Sequence, residues 1–183
     1  PLDSQRHFRF VNDRIRYADK LDGVVWRGAA YQEHRQRFLE SCNGLSFINA
    51  GNTAVPKKGN VPFAKPKMSI NEQLKYKFVL SLEGNDVATN LKWIMSSNSV
   101  CIMPRPKYET WYKEGTLLPN YHYIEIRDDF SDIEDVFARY VNDKPACKKI
   151  INNAQDFVSN YFSSRNMLNI ARSVTLKYSK IVK

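Results

Sequence analysis

The run from Ser81 to Met95, SLEGNDVATNLKWIM, holds the residues best suited to chemistry. The apolar stretch Lys77 to Leu82 that leads into it reads as a strand. Val87 to Ser97 reads as a helix, with Val87, Leu91, Ile94 and Met95 on one stripe. Between them Gly84 lets the backbone turn tightly. The start of a helix presents unpaired N–H groups and a partial positive charge, which suits a phosphate. Asn85, Thr89 and Asn90 would add neutral hydrogen bonds, and Lys92 a charge unless it faces solvent. An ordinary strand-to-helix turn with Asp86 as N-cap accounts for the same residues. The spacing is neither G-x-G-x-x-G nor a P-loop, so neither a dinucleotide enzyme nor an NTPase is indicated.

A second strand-turn-helix junction is Trp26-Arg27-Gly28, followed by His34 and Arg35. An arginine at its mouth can clamp a diphosphate through two parallel hydrogen bonds. A solvated helix face carrying Arg35 and Arg37 explains the pattern equally. Beyond them lies an aromatic segment, where Tyr108, Trp111 and Tyr112 either stack on a base or sugar or pin their loop to the core. The three cysteines (Cys42, Cys101, Cys147) lack C-x-x-C spacing, and the three histidines (His7, His34, His122) lie far apart. Neither set suggests a metal site, and unpaired cysteines suit a reducing compartment.

Strands and helices alternate around these motifs. Strands are predicted at Gly23 to Arg27, Leu45 to Asn49, Lys77 to Leu82, Ser99 to Met103 and Tyr121 to Ile126. A helix is expected from Gln32 to Cys42, and a long exposed loop from Ala50 to Lys67. Ser69 and Glu72 form a capping-box pattern that opens a short helix. The end is helical: one segment carries Ile133, Val136, Phe137, Tyr140 and Val141, a second begins near Pro145, and a third begins near Ser164. That last helix should turn Ile170, Ala171, Val174 and Tyr178 inward. The pattern implies an α/β fold with a mostly parallel sheet and helices on both faces. Ligands bind such sheets beyond the carboxyl ends of the strands.

The bulk properties suit one such domain. Hydrophobic residues make up 43% of the 183 and charged residues 26%, which excludes a disordered chain. No stretch approaches the ~20 apolar residues that span a bilayer. The net charge of +9 favours anionic partners: a nucleotide diphosphate, an anionic membrane face or a lipopolysaccharide. The basic residues are scattered and form no nucleic-acid motif, so no nucleic-acid partner is expected. The chain opens on Pro1, which suggests that it begins part-way through a longer protein.

From Lys75 to Phe137, the run KYKFVLSLEGNDVATNLKWIMSSNSVCIMPRPKYETWYKEGTLLPNYHYIEIRDDFSDIEDVF resembles glycosyltransferase family 90. The likeness extends upstream through DGVVWRGAAYQEHRQRF and downstream to NAQDFV. It is closest to the bacterial lipopolysaccharide members. Fungal capsule-associated proteins and animal protein O-glucosyltransferases are its other branches. The resemblance implies a GT-B fold, in which two Rossmann-like domains face a cleft, and makes this chain the donor-binding, C-terminal half. On that basis residues 1–22 are a remnant or linker from a preceding acceptor-side domain, and 23–183 form the nucleotide-sugar-binding domain.

The resemblance further implies a UDP-sugar donor and neither metal nor cofactor. The absence of a D-x-D triplet fits that expectation. Its donor-binding positions fall on Arg27, Gly28 and Arg35 in one segment, and on Gly84, Asn85, Asp86, Val87, Ala88, Thr89 and Asn90 in the other. Two positions depart from the animal pattern: Ala29 stands where a serine follows R-G, and Asn90 replaces an arginine. Lys92, Arg105 or Arg35 would then carry more of the charge opposite the diphosphate. The family's general base is an aspartate well upstream of W-R-G. Only 25 residues precede Trp26, so Asp3, Asp13 and Asp22 are not assigned to that role. The expected activity is sugar transfer from a UDP-sugar to a glycan, the lipopolysaccharide core. The expected location is cytoplasmic, at the inner face of a bacterial membrane. The alternative is a truncated, non-catalytic module that holds anionic glycan or membrane.

Overall fold

Strand residues alternate between two apolar layers. The computed structural model describes residues 9–55 and 59–181, apart from the side chains at 164 and 167. Five strands, β1 (Leu21–Gly28), β2 (Ile48–Asn52), β3 (Tyr76–Leu80), β4 (Val100–Met103) and β5 (Ile124–Glu125), form one sheet. Its order is β2-β1-β3-β4-β5, and every pairing is parallel. Val24, Trp26, Phe78, Leu80, Val100 and Ile102 point to one face, where Phe38, Ile133 and Ile150 cover them. Val25, Val79, Cys101 and Met103 point to the other, under Leu91, Ile94, Ala154 and Val158. A period of two with both faces buried is what a parallel sheet sandwiched by helices requires.

The helices are α1 (Glu33–Ser41), α2 (Ile70–Gln73), α3 (Leu91–Met95), α4 (Ile133–Val141), α5 (Lys144–Ser159) and α6 (Ser164–Ile181). Helix α5 gives Cys147, Ile150 and Ile151 to the first layer and Ala154 and Val158 to the second, so it binds the two together. Asp143 caps it through Ala146 N–H, with Pro145 in the first turn, as its sequence predicts. The capping box of Ser69 and Glu72 forms in full. All three cysteines are buried and free, and burial pushes the Cys42 thiol up to about 11, which marks it as core material.

Four local expectations need correction. The second strand runs Ile48–Asn52 rather than Leu45 to Asn49. Leu45 N–H and Ile48 N–H close turns on Cys42 and Leu45 carbonyls, so Leu45 to Phe47 packs as a turn and the ladder falls on Ile48-Asn49-Ala50-Gly51-Asn52. The last strand shrinks to Ile124–Glu125, because the backbone turns at Asn120 and His122 Nδ1 accepts Leu118 N–H at 2.9 Å. Of the four residues expected inward, helix α6 turns Ile170 toward the core; Ala171, Val174 and Tyr178 are exposed. Among the described residues nothing packs over that stripe. The fourth concerns α3 and lies at the site.

Leu21 and Asp22 already belong to β1. The segment before it is also anchored: Lys20 pairs with Asp13 at 2.7 Å, both side chains buried, and Lys20 also donates to the Leu74 carbonyl. Asp22 pairs with Lys77. The first eight residues, which include Asp3 and His7, lie outside the described residues, as do Pro56 to Lys58 of the long loop and the last two residues.

Candidate functional site

The carboxyl ends of β1, β3, β4 and β5 surround a cavity of about 510 Å3. Gly84, Asn85, Val87 and Ala88 of the loop after β3 form one wall. Arg105, Lys107 and Tyr108, after β4, form the opposite wall. Asp128 and Phe130, after β5, and Gln32 and His34, at the start of α1, close the ends. This is where a parallel α/β sheet presents free backbone groups to a ligand.

The β3 loop is not a helix start. Helix α3 begins at Leu91, four residues later than its apolar stripe predicts, and spans only five residues. Gly84 N–H bonds the Asp86 carbonyl at 2.9 Å and closes a tight turn. The Asp86 carboxylate accepts Val87 N–H at 2.8 Å, so it stabilises the loop instead of capping the helix. Asn90 is the N-cap residue but makes no side-chain cap. Its amide donates to the Leu80 carbonyl at 2.9 Å and accepts Ser81 O–H at 3.0 Å. These bonds hold Val87 to Asn90 out of the helix. Among the described residues, the backbone N–H groups of Asn85, Asp86, Ala88, Thr89 and Asn90 donate to no protein acceptor. A run of free amides attracts an anion through the same partial charges that a helix end supplies.

Arg35 reaches this loop from α1. Its Nε donates to Glu83 O at 2.8 Å, its Nη1 to Ala29 O at 2.9 Å and its Nη2 to Leu82 O at 2.8 Å. The guanidinium therefore ties the turn after β1 to the turn after β3, with Trp26 beneath it at 5.8 Å. Burial pulls its pKa down from the ordinary value. Among the described residues no carboxylate pairs with it, so its charge is balanced only by carbonyl dipoles. His34 Nε2 lies 2.8 Å from the same Glu83 carbonyl. A carbonyl only accepts, so that nitrogen carries the proton.

The other sequence-derived positions split. Gly84, Asn85, Val87, Ala88 and Arg105 line the cavity; Asp86, Thr89 and Asn90 sit in the same loop but off its wall. Arg27 points away: it bonds Pro66 O, Trp26 O, Asn49 O and Asn49 Oδ1, and braces β2 and the loop beyond it. Gly28 has a packing reason. A Cβ there would stand 2.6 Å from the Trp26 ring. Lys92 is buried rather than solvated. It lies 3.7 Å from the buried Glu114 carboxylate and faces the Trp111 and Tyr112 rings at 5.3 and 5.0 Å. Burial lowers its pKa, and Glu114 opposes that shift. Arg105 is exposed, 3.6 Å from Glu125.

Sequence reasoning missed Gln32, Glu83, Lys107 and Asp128. Gln32 Nε2 donates to Asn85 Oδ1 at 2.9 Å. The Glu83 carboxylate accepts Lys107 N–H at 3.1 Å and Tyr108 N–H at 3.2 Å, and Lys107 Nζ pairs with Asp128 at 2.8 Å. Only an acid beside the glycine hinted at any of this. Phe130 is buried with φ of 62°, a left-handed backbone rare outside glycine, at the cavity end. Tyr112 is buried and pins its loop, while Tyr108 lies open.

The profile of glycosyl transferase family 90 matches residues 4–183. The O-glucosyltransferase LpsA of Dichelobacter nodosus is 44% identical over 99% of this chain, which spans 57% of that protein's length. Uncharacterized protein 179R of Invertebrate iridescent virus 6 is 25% identical over 64% of this chain and 11% of its own length. A third relative, uncharacterized protein 035R of Invertebrate iridescent virus 3, is 25% identical over 62% of the chain and 10% of its own. With the match covering nearly every residue, the chain belongs to glycosyltransferase family 90.

Proposed function

We propose that this chain is the donor-binding, C-terminal part of a GT-B glycosyltransferase that moves a hexose from a UDP-sugar to a glycan, the lipopolysaccharide core. The observation that carries the reading is the pair of unbonded amides of Asn85 and Ala88 on the wall of a cavity at the carboxyl ends of the strands, with those of Asp86, Thr89 and Asn90 in the same loop and Arg35 bonded to the carbonyls at its start. Amides and a guanidinium balanced only by carbonyls favour the charge that develops on a departing diphosphate. In the proposed reaction a base outside this chain takes the proton of an acceptor hydroxyl. The freed oxygen attacks the sugar C1, and the bond from C1 to the diphosphate oxygen breaks. UDP leaves with that electron pair, held by this loop. Neither metal nor cofactor takes part in the proposed step.

The named Dichelobacter relative makes UDP-glucose the first donor to test. Calorimetry on the chain should show saturable binding of UDP and UDP-glucose. No binding of either overturns the proposal. The proposed location is the cytoplasmic face of a bacterial inner membrane, with peripheral contact; among the described residues no helix is long and apolar enough to cross one.

A second reading draws on α6. Its Arg165, Arg172, Lys177 and Lys180 accompany the exposed Val174, Tyr178 and Ile181, and it carries no acidic residue. A basic amphipathic helix of this kind suits a non-catalytic module that holds anionic glycan or lipid. That module would bind lipopolysaccharide without preferring a nucleotide.

A further inference from the structure

The cavity has two unlike walls. One offers the unpaired amides of Asn85 and Ala88; the other carries an aromatic ring on an anchored backbone. Tyr108 ends the segment Pro104-Arg105-Pro106-Lys107-Tyr108, where two prolines restrict the backbone. The Glu83 carboxylate accepts both the Lys107 and Tyr108 amides, and Lys107 Nζ reaches Asp128. The backbone beneath the ring is thus tied to the loops after β3 and β5. The side chain lines the cavity yet is 46% exposed. Among the described residues its ring meets no other aromatic ring, and its hydroxyl bonds no protein group. Its neighbours behave differently: Trp111, Tyr112, Phe157 and Tyr161 pack on one another. An aromatic side chain anchored at its backbone, half-open and without an aromatic partner leaves a ring surface free beside the cavity.

We infer that Tyr108 is the stacking platform for the base of the donor nucleotide, a residue that selects nucleoside diphosphates over simple phosphates. The inference rests on the nucleotide-sugar reading above. A nucleoside diphosphate has two chemical ends, an anion and a flat ring. The amide wall suits the first and Tyr108 the second. Stacking tolerates any base, because every base has a π-face, so Tyr108 supplies affinity for a base without choosing which. A choice among bases would have to come from hydrogen-bonding groups on the same rim.

The test compares UDP with inorganic pyrophosphate by calorimetry on the intact chain, for the parent, Tyr108→Ala and Tyr108→Phe. Removal of a stacking ring lowers affinity by roughly 5- to 140-fold. Tyr108→Ala should therefore lose UDP affinity to that extent and hold pyrophosphate as the parent does. Tyr108→Phe keeps the π-face and should hold UDP within about twofold. Saturation-transfer NMR on the parent should place the strongest saturation on the uracil protons. The inference alone fails if the parent binds UDP and Tyr108→Ala binds it equally well. It also fails alone if that variant loses UDP and pyrophosphate in the same proportion, or if Tyr108→Phe falls as far as Tyr108→Ala. If the parent binds no UDP, the nucleotide-sugar reading falls and takes this inference with it.

Discussion

Arg35 shows how one side chain can serve fold and ligand together. Its three bonded carbonyls belong to the two loops that leave the neighbouring strands β1 and β3, which it ties to each other beyond the end of the ladder. Hydrogen bonds from a charged donor contribute about 1.5–3 kcal/mol each, and they do not add fully when one group makes them all. Arg35→Ala leaves three carbonyls short of a donor and removes the cation from above Trp26. A loss of about 2–4 kcal/mol follows. In a chain of this size that lowers Tm by about 5–15 °C. The variant should also lose UDP affinity. Arg35→Lys keeps the charge but not the fork, so it should recover part of the affinity and little of the stability. Thermal melts and calorimetry on both variants check this. If Arg35→Ala melts like the parent, the three-carbonyl brace is not what holds the loops. The same geometry gives Asn90 its place: its amide spans Leu80 and Ser81, a span that closes the loop from within. The arginine that the animal pattern has there is replaced by a strut, and the nearby charge comes from α1.

At the scale of elements, Glu83 is the joint. Its carboxylate holds the β4 loop while its carbonyl accepts from His34 and Arg35 of α1. Glu83→Ala should free the Lys107 and Tyr108 amides, which hydrogen exchange reads directly as faster exchange at those positions, with the sheet amides unchanged. Glu83→Gln retains an acceptor oxygen and should exchange nearly as slowly as the parent. Equal protection in all three proteins would remove Glu83 from this role. The joint was hidden in the sequence because its partners are 24 and 25 residues away and are backbone groups, which no residue type announces. What periodicity does announce is a buried face. The β1, β3 and β4 strands, the α4 and α5 helices and the Ser69 box were legible because local pattern and tertiary burial agree there. They disagree at Val87 to Asn90, where the apolar stripe would carry a helix through but Asn90 and Asp86 spend their side chains on the loop. They disagree again at Leu45 to Phe47, where apolar residues pack from a turn and β2 is set by its backbone ladder to β1. Of the two glycines that the motifs singled out, Gly84 was legible as a turn and Gly28 as the end of its strand. Their reasons were not: a Cβ at Gly28 would meet the Trp26 ring, and one at Gly84 would come 3.2 Å from Arg35 Nη2.

The whole molecule carries a net charge of +9, and both proposed readings invoke it. They invoke it differently. A nucleotide seated between the amide row and Tyr108 touches its charges at hydrogen-bond range, well inside the screening length of ~10 Å at 0.1 M salt. The general field then assists encounter and adds modestly to affinity. Between 50 and 300 mM salt, UDP affinity should fall by only about two- to fivefold. A membrane or glycan held by α6 would depend on solvent-exposed lysines and arginines, whose attraction is largely screened over the same range. Binding to vesicles of anionic lipid should therefore fall by more than about tenfold. Calorimetry with UDP and co-sedimentation with vesicles, in the same salt series, separate the two. A shallow UDP slope supports a built donor site, whatever α6 does. A UDP slope as steep as the vesicle slope would mean that the cavity contributes no more than the surface charge does, and the donor-site reading would fall. The exposed stripe on α6 adds a control. Val174→Ser with Tyr178→Ser removes apolar surface that packs on nothing among the described residues, so UDP binding and Tm should both stay at the parent values while any vesicle binding drops.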